Sequence, residues 1–370
     1  GWIENGLAFP TDLLDPAAFV LRRVVPPCRR IPQALAKTAM TAKKITEFLA
    51  HLRGAPGQRV VLSRLGFALA TLLLMSLITF AATSIAPEDV ARNALGREVT
   101  QGQVELFIHD KGLDRPFAVR YAEWLAGAAT GDFGVSAVTG RDVRADVMPR
   151  LGNTVVLALL ALVIGVPLSL GVAVYMALRM GGWQDVSLLA GTTVLTALPE
   201  FVTGMGLVLL FGVTLGWLPI DSTALLFGSA FDNLSAYVLP VTTMVLVTAP
   251  YTIRIARSSI CESLASAHTR AAILNGLSRR RILWAYAVLP AATPIINTLA
   301  LNLVYLISGV VVIENVFNFP GIGRRLVEAI TTGDTYTVQA VALLMGAMFI
   351  IINLAADLMA AYVNPRLRAR

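Results

Sequence analysis

The chain has 370 residues, of which 56% are hydrophobic and only 14% charged, and it carries a net charge of +7. Soluble domains carry about 25% charged residues, and a water-exposed surface this apolar would form large greasy patches. The composition excludes an ordinary soluble enzyme or nucleic-acid-binding domain and points to an all-α membrane protein, with lipid as its solvent.

In chain order, residues 1–60 read as an N-terminal cytoplasmic extension. Pro26, Pro27 and Pro32 interrupt any early helix. From Pro32 onward Leu35, Ala39, Ala42, Ile45, Leu49 and Leu52 recur at three- and four-residue steps. That spacing is one face of an amphipathic helix over 33–52. Lys37, Lys43 and Lys44 fall off the stripe, so the helix lies on the inner leaflet or docks on protein. No signal-peptide cleavage pattern is visible.

Residues 61–370 hold six apolar runs long enough to span a bilayer: 65–86, 154–178, 186–213, 234–253, 287–313 and 338–361. Their only interior charges are Glu200 and Asp357. Segment 87–150, between the first two runs, is polar and too long for a turn. With amphipathic helices expected over 101–111 and 117–128, it reads as a small outer-face (periplasmic) insertion packed on the bundle.

The charges sort by side. Residues 1–64 carry ten Lys or Arg against four acids. Loop 254–286 holds Arg254, Arg257, Arg270, Arg279, Arg280 and Arg281 against Glu262 alone. Segment 87–150 has eight bases and ten acids, and loop 214–233 has Asp221 and Asp232 and no base. One face sums to about +14 and the other to about −5, which by the positive-inside rule predicts both termini in the cytoplasm. Cys28 and Cys261 form no CxxC pair, and His51, His109 and His268 are scattered. No metal-ligand spacing is present.

The informative stretch is the loop before the fifth run, TRAAILNGLSRRRILWAYAVLPAATP over 269–294. It resembles the conserved loop of binding-protein-dependent ABC permeases, whose generic form is Glu-Ala-Ala, three residues, Gly, then Leu-Pro. Arg270, Ala271, Ala272 and Gly276 occupy its first positions, and Leu289 and Pro290 supply the Leu-Pro one residue late. Arg for Glu, then Gly276-Leu277-Ser278 and the cluster Arg279, Arg280 and Arg281, is similar to the oligopeptide and dipeptide branch. Residues 112–136, 197–219, 314–330 and 353–368 resemble the same branch, so the likeness covers about 61–370 and leaves the extension outside it.

The resemblance implies the type I ABC importer permease fold, with six transmembrane helices in a bacterial inner membrane. It implies a second permease subunit, two cytoplasmic ATPase subunits and an outer solute-binding protein as partners. It also implies a peptide or peptide-like cargo, although related systems take nickel chelates, glutathione or oligosaccharides. Residues 262–276 are expected to form a short helix in a groove of the ATPase. Ala271 and Ala272 would allow close approach, Gly276 would end the helix with positive φ, and Arg270 and Arg279 would pair with carboxylates or lipid. No G-x-x-x-x-G-K-[ST] loop occurs, so ATP and Mg belong on the partner ATPases, and no catalytic cluster is present. A motor-independent membrane enzyme or channel, the rival class, has no need of this ordered loop spacing.

Glu200 follows Pro199 inside the third run. A carboxylate there costs several kcal/mol unless paired, hydrated or protonated, and the proline bends the helix. Two readings stand: an acid lining the solute path, or a structural acid paired within the protein.

Overall fold

The computed structural model describes residues 55–84, 87–96, 99–110, 112–226 and 233–363. The amphipathic helix expected over 33–52 lies outside the described residues. Those described are mostly helical, with a single isolated bridge between Val135 and Asp142 in place of any strand.

Helix α1 spans Ala55–Ser84. Short helices α2 (Pro87–Leu95), α3 (Gln101–Asp110) and α4 (Phe117–Thr130) follow. Helix α5 runs over Val143–Leu178, capped by the Asp142 side chain, which accepts from the Arg144 N–H. Helix α6 covers Trp183–Ala197, and α7 (Glu200–Leu207) continues as a π-helix over Val208–Thr214. Helix α8 is Ser235–Ala265 and α9 is Ala267–Leu274. A turn at Arg279–Arg281 and a π-helix over Ile282–Val288 lead into α10 (Leu289–Val316). Helices α11 (Ile322–Thr332) and α12 (Thr335–Val363) complete the described chain.

Five helical stretches are long and apolar enough to cross a bilayer, and the bent pair α6–α7 passes the same test as a pair. That pair starts with Asp185 beside Arg257 near one end of α8 and leads to Ser222 beside Ala236 at the other, so it counts as a sixth, broken span. Here the structure corrects the third expected span. It is no single kinked helix over 186–213, because α6 and α7 meet at 105°. Proline disfavours helical backbone in the residue before it. Leu198 accordingly turns extended at ψ 128° and Pro199 at ψ 146°, so the helix stops and restarts.

Helix α8 is central. In its membrane window 67% of residues are buried, against 11% in α1 at the periphery. Lipid offers no hydrophobic drive between helices, so small side chains that allow close backbones carry the packing. Gly165 on α5 shows this, since a Cβ there would sit 3.3 Å from Val245 on α8. Ala161, Ala173, Ala249 and Ala256 line the same buried seam. Pro240, inside α8, deprives the Ala236 carbonyl of its helical donor. The Ser222 hydroxyl donates to that carbonyl at 2.8 Å, so the proline leaves no orphan in the core.

Alternation of the spans puts 179–182 and 266–278 at one end of the bundle, and 87–96, 99–110, 112–142, 215–226, 233–234 and 317–334 at the other. At the latter end Phe80, Phe117, Tyr121 and Trp124 cluster with ring centroids 5.4–6.4 Å apart, which seats α4 on α1. Arg325 bridges Asp146 at 2.5 Å and Asp334 at 3.3 Å, and Ser136 donates to Asp334 at 2.6 Å. These bonds join α5, α11 and the start of α12 to the loop after α4.

Candidate functional site

Only Ser266 separates α8 from α9. Its extended backbone (φ −70°, ψ 154°) breaks the helix, and its hydroxyl caps the new one by accepting from the Thr269 N–H. Helix α8 runs on to Ala265, twelve residues beyond the expected end of the fourth span, so residues 262–265 belong to it. The short helix therefore starts at Ala267 rather than at 262.

Gly276 closes α9 in the left-handed region at φ +71°. Its N–H bonds to the Ile273 carbonyl at 3.0 Å, and the Leu277 N–H to that of Ala272 at 3.2 Å. This pair of bonds is the Schellman arrangement, which satisfies the last carbonyls of a helix and favours glycine at the left-handed position.

The two faces of α9 differ. Thr269 is fully buried, and its hydroxyl donates to the Ser263 carbonyl of α8 at 2.7 Å. It also lies 3.4 Å from the Tyr286 carbonyl, the one that Pro290 leaves without its helical donor. Ala272, 4% exposed, packs inward beside it. The expectation that Ala271 and Ala272 together allow close approach of a partner is thus corrected: Ala272 faces this chain's own helices, three residues from Thr269 and on the same side. Arg270, Ala271 and Leu274 face outward, and Leu274, 88% exposed, is an apolar knob. Arg279, Arg280 and Arg281, all exposed, form a basic rim where the fifth span begins, eight residues earlier than expected. The result is a rigid, capped helix that can enter an apolar groove edged with carboxylates.

Glu200 lies elsewhere, as the first residue of α7 beside the break at Pro199. It is half-buried, and a Cβ on Gly309 of α10 would lie 2.7 Å from its Oε2. It shares a shallow recess with Met244, Val247, Thr248, Tyr305, Gly309 and Ile313. Among the described residues no hydrogen bond or ion pair reaches its carboxylate. Glu200 lines this recess, Pro199 precedes Glu200 in the chain, and neither is brought into contact with the α9 residues. The side chain of Asp357 lies outside the described set.

Three polar clusters escaped the sequence reading. Arg257, counted there only as a loop charge, turns inward to Asp185. Arg325 sits between two aspartates. Glu314, fully buried, accepts from the Thr154 hydroxyl at 2.5 Å and the Arg324 N–H at 2.9 Å, and so caps the first turn of α11. The local signal for this last cluster is the glycine pair Gly321 and Gly323, which makes room for that carboxylate. Among the described residues no group of three or more His, Cys, Asp or Glu is placed to hold a metal.

Residues 165–369 match the family model described as the inner membrane component of binding-protein-dependent transport systems, and residues 58–158 match the model for the N-terminal part of such components. A probable peptide ABC transporter permease of Sinorhizobium fredii is 30% identical over 308 residues, covering 83% of this chain and 98% of that protein. A glutathione transport system permease of Salmonella choleraesuis is 31% identical over 309 residues, with the same coverage. A glutathione transport system permease of Escherichia coli is 30% identical over 308 residues. With a bundle of five unbroken spans and one broken one, and these matches over most of its length, the chain belongs to the family of ABC importer permease subunits, the membrane components of binding-protein-dependent transport systems.

Proposed function

We propose that this chain forms, with a second permease subunit, the path of an ATP-driven importer for peptides or peptide-like solutes such as glutathione. The observation that carries the reading is α9. It is capped at both ends, bonded to α8, packed on the start of the fifth span, and tipped by the exposed Leu274. A helix so held transmits a push as a rigid body. Two cytoplasmic ATPase subunits, which hold the ATP and Mg, grip Arg270, Ala271, Leu274 and Gly276, with Arg279 at the rim. Their closure opens the path outward and hydrolysis resets it, so nucleotide supplies the energy difference between the two states. An outer solute-binding protein delivers the cargo. This chain does no chemistry itself. The names of its relatives, a peptide permease and glutathione permeases, support the cargo class.

Co-purification tests the assembly. A tagged chain should bring down two copies of an ATPase, a second permease and, with cargo present, a binding protein. Isolation of this chain alone at full yield from native membranes would refute the reading.

The topology follows from the charge bias. In a background with Cys28 and Cys261 replaced, a cysteine at Asp221 should react with an impermeant maleimide from outside intact cells. A cysteine at Arg280 should react only after permeabilisation. The reverse pattern would overturn the orientation.

Glu200 is assigned to the solute path, where it meets an amine on the cargo. An unpaired carboxylate at a mid-span break is costly unless it faces water or a partner. Glu200→Gln keeps the shape and removes the charge. Uptake of an amine-bearing peptide should fall about tenfold, the value of a charge-assisted bond of ~1.5 kcal/mol, with assembly unchanged. Full activity in that variant would remove the idea.

A further inference from the structure

We propose that the ion pair between Asp185 and Arg257 is the joint through which movement of α9 reaches the broken span. The proposal rests on the reading of α9 as the helix gripped by the ATPase.

The pair is bidentate, with Arg257 Nε 2.6 Å from Asp185 Oδ1 and Nη2 2.5 Å from Oδ2. Asp185 is 2% exposed. Its carboxylate also accepts from the Gly181 N–H at 3.0 Å, which fixes the turn ahead of α6. Within α6 only Asp185 and Thr192 are buried. Trp183, Val186, Leu188 and Val194 face outward. Thr192, Thr193 and Thr196 spend their hydroxyls on carbonyls of α6 itself. Among the described residues, Asp185 supplies every side-chain hydrogen bond that α6 makes to another spanning helix.

Two stiff rods meet at this pair. From Arg257, α8 runs to Ala265 with no proline in the interval, about 12 Å at 1.5 Å per residue. There Ser266 and Thr269 both bond to the Ser263 carbonyl, at 2.6 and 2.7 Å, so α9 moves with the end of α8. From Asp185, α6 runs to Ala197, about 18 Å by the same rise, and ends at the Pro199 break where Glu200 begins α7. Apolar contacts between helices can slide. A bidentate charge pair with its carboxylate buried is short and directional, and resists sliding. Displacement of α9 therefore carries Arg257, Asp185 and α6 together, and the break at Leu198 and Pro199 is where the motion turns into a change beside Glu200.

Asp185→Asn tests this in the intact complex with its ATPase and permease partners, in lipid, with Cys28 and Cys261 replaced by serine. Spin labels are placed one at a time on cysteines at position 267 of α9, exposed and outside the residues gripped by the ATPase, and position 201 of α7. ATP with vanadate is the trigger, so no cargo is needed. In the parent, both labels should change spectrum. In the Asn variant the change at 267 should persist, while that at 201 should be largely lost. Arg257→Lys, which keeps the charge and loses the fork, should give an intermediate response at 201. An unchanged response at 201 in the Asn variant overturns the joint. A parent with no response at 267 overturns instead the reading of α9 on which the joint depends. If neither Asp185→Asn nor Arg257→Lys assembles, the pair is a folding anchor and the proposal falls.

Discussion

Gly321→Ala is expected to be the most damaging single-methyl change in the described structure. A Cβ there would lie 1.9 Å from Glu314 Oε1 and 2.1 Å from its Cδ. The carboxylate cannot simply swing aside. It is fully buried, and it holds the Thr154 hydroxyl and the Arg324 N–H. Thr154 in turn accepts from the Ile322 N–H at 2.9 Å, so one cluster ties α5, α10 and the first turn of α11 together. Overpacking costs about 1–3 kcal/mol, and each buried group left without its partner about 1–3 kcal/mol more. A loss of about 3 kcal/mol or more is expected, seen as a lower aggregation midpoint on heating the detergent-solubilised complex. Glu314→Ala should also destabilise, since it strips the cap. The double variant should lose less than the two singles together, because removing the carboxylate removes the clash. Gly323→Ala is the control. Its Cβ meets the Val311 backbone at 2.8 Å and Glu314 Oε2 only at 3.0 Å, so Glu314→Ala should leave most of its loss in place. Additive losses for Gly321→Ala with Glu314→Ala would show that the glycine does not make room for the acid.

Gly276→Val is expected to have the largest effect on transport. At φ +71° a β-branched residue is strained by about 1–3 kcal/mol, and relief of the strain breaks the two bonds that close α9. The exposed knob Leu274 then shifts relative to the motor. Most of the chain's packing lies in the bundle and does not involve this turn, so the complex should still assemble. Cargo-stimulated ATP hydrolysis and uptake in proteoliposomes should each fall about tenfold or more. Gly276→Ala should retain more activity, because alanine tolerates the left-handed region better than valine. Arg270→Ala should be milder still, since an exposed charge contributes little alone. Normal stimulation and uptake with valine at 276 would show that this turn does not position the coupling element.

The sequence by itself determined the class of molecule, since apolar length is a property of each segment alone. Runs of 18 or more apolar residues, the proline after Leu198 and the left-handed glycine at 276 are local signals, and each has its counterpart in the structure. The spacing of Arg270, Ala271, Ala272 and Gly276 was enough to point to the family. Tertiary structure alone decided which side of a helix each residue uses. Ala271 and Ala272 are equivalent in sequence, yet one faces out and the other packs inward beside Thr269. Arg257 looked like one more loop charge until the extension of α8 brought it against Asp185, 72 positions away in the chain. Glu314, too, gained its meaning only when α5 and the start of α11 arrived around it. Pairings of this kind depend on where distant helices cross. In lipid that is set by small residues and close backbones, which leave little trace in the hydrophobic pattern of any one span.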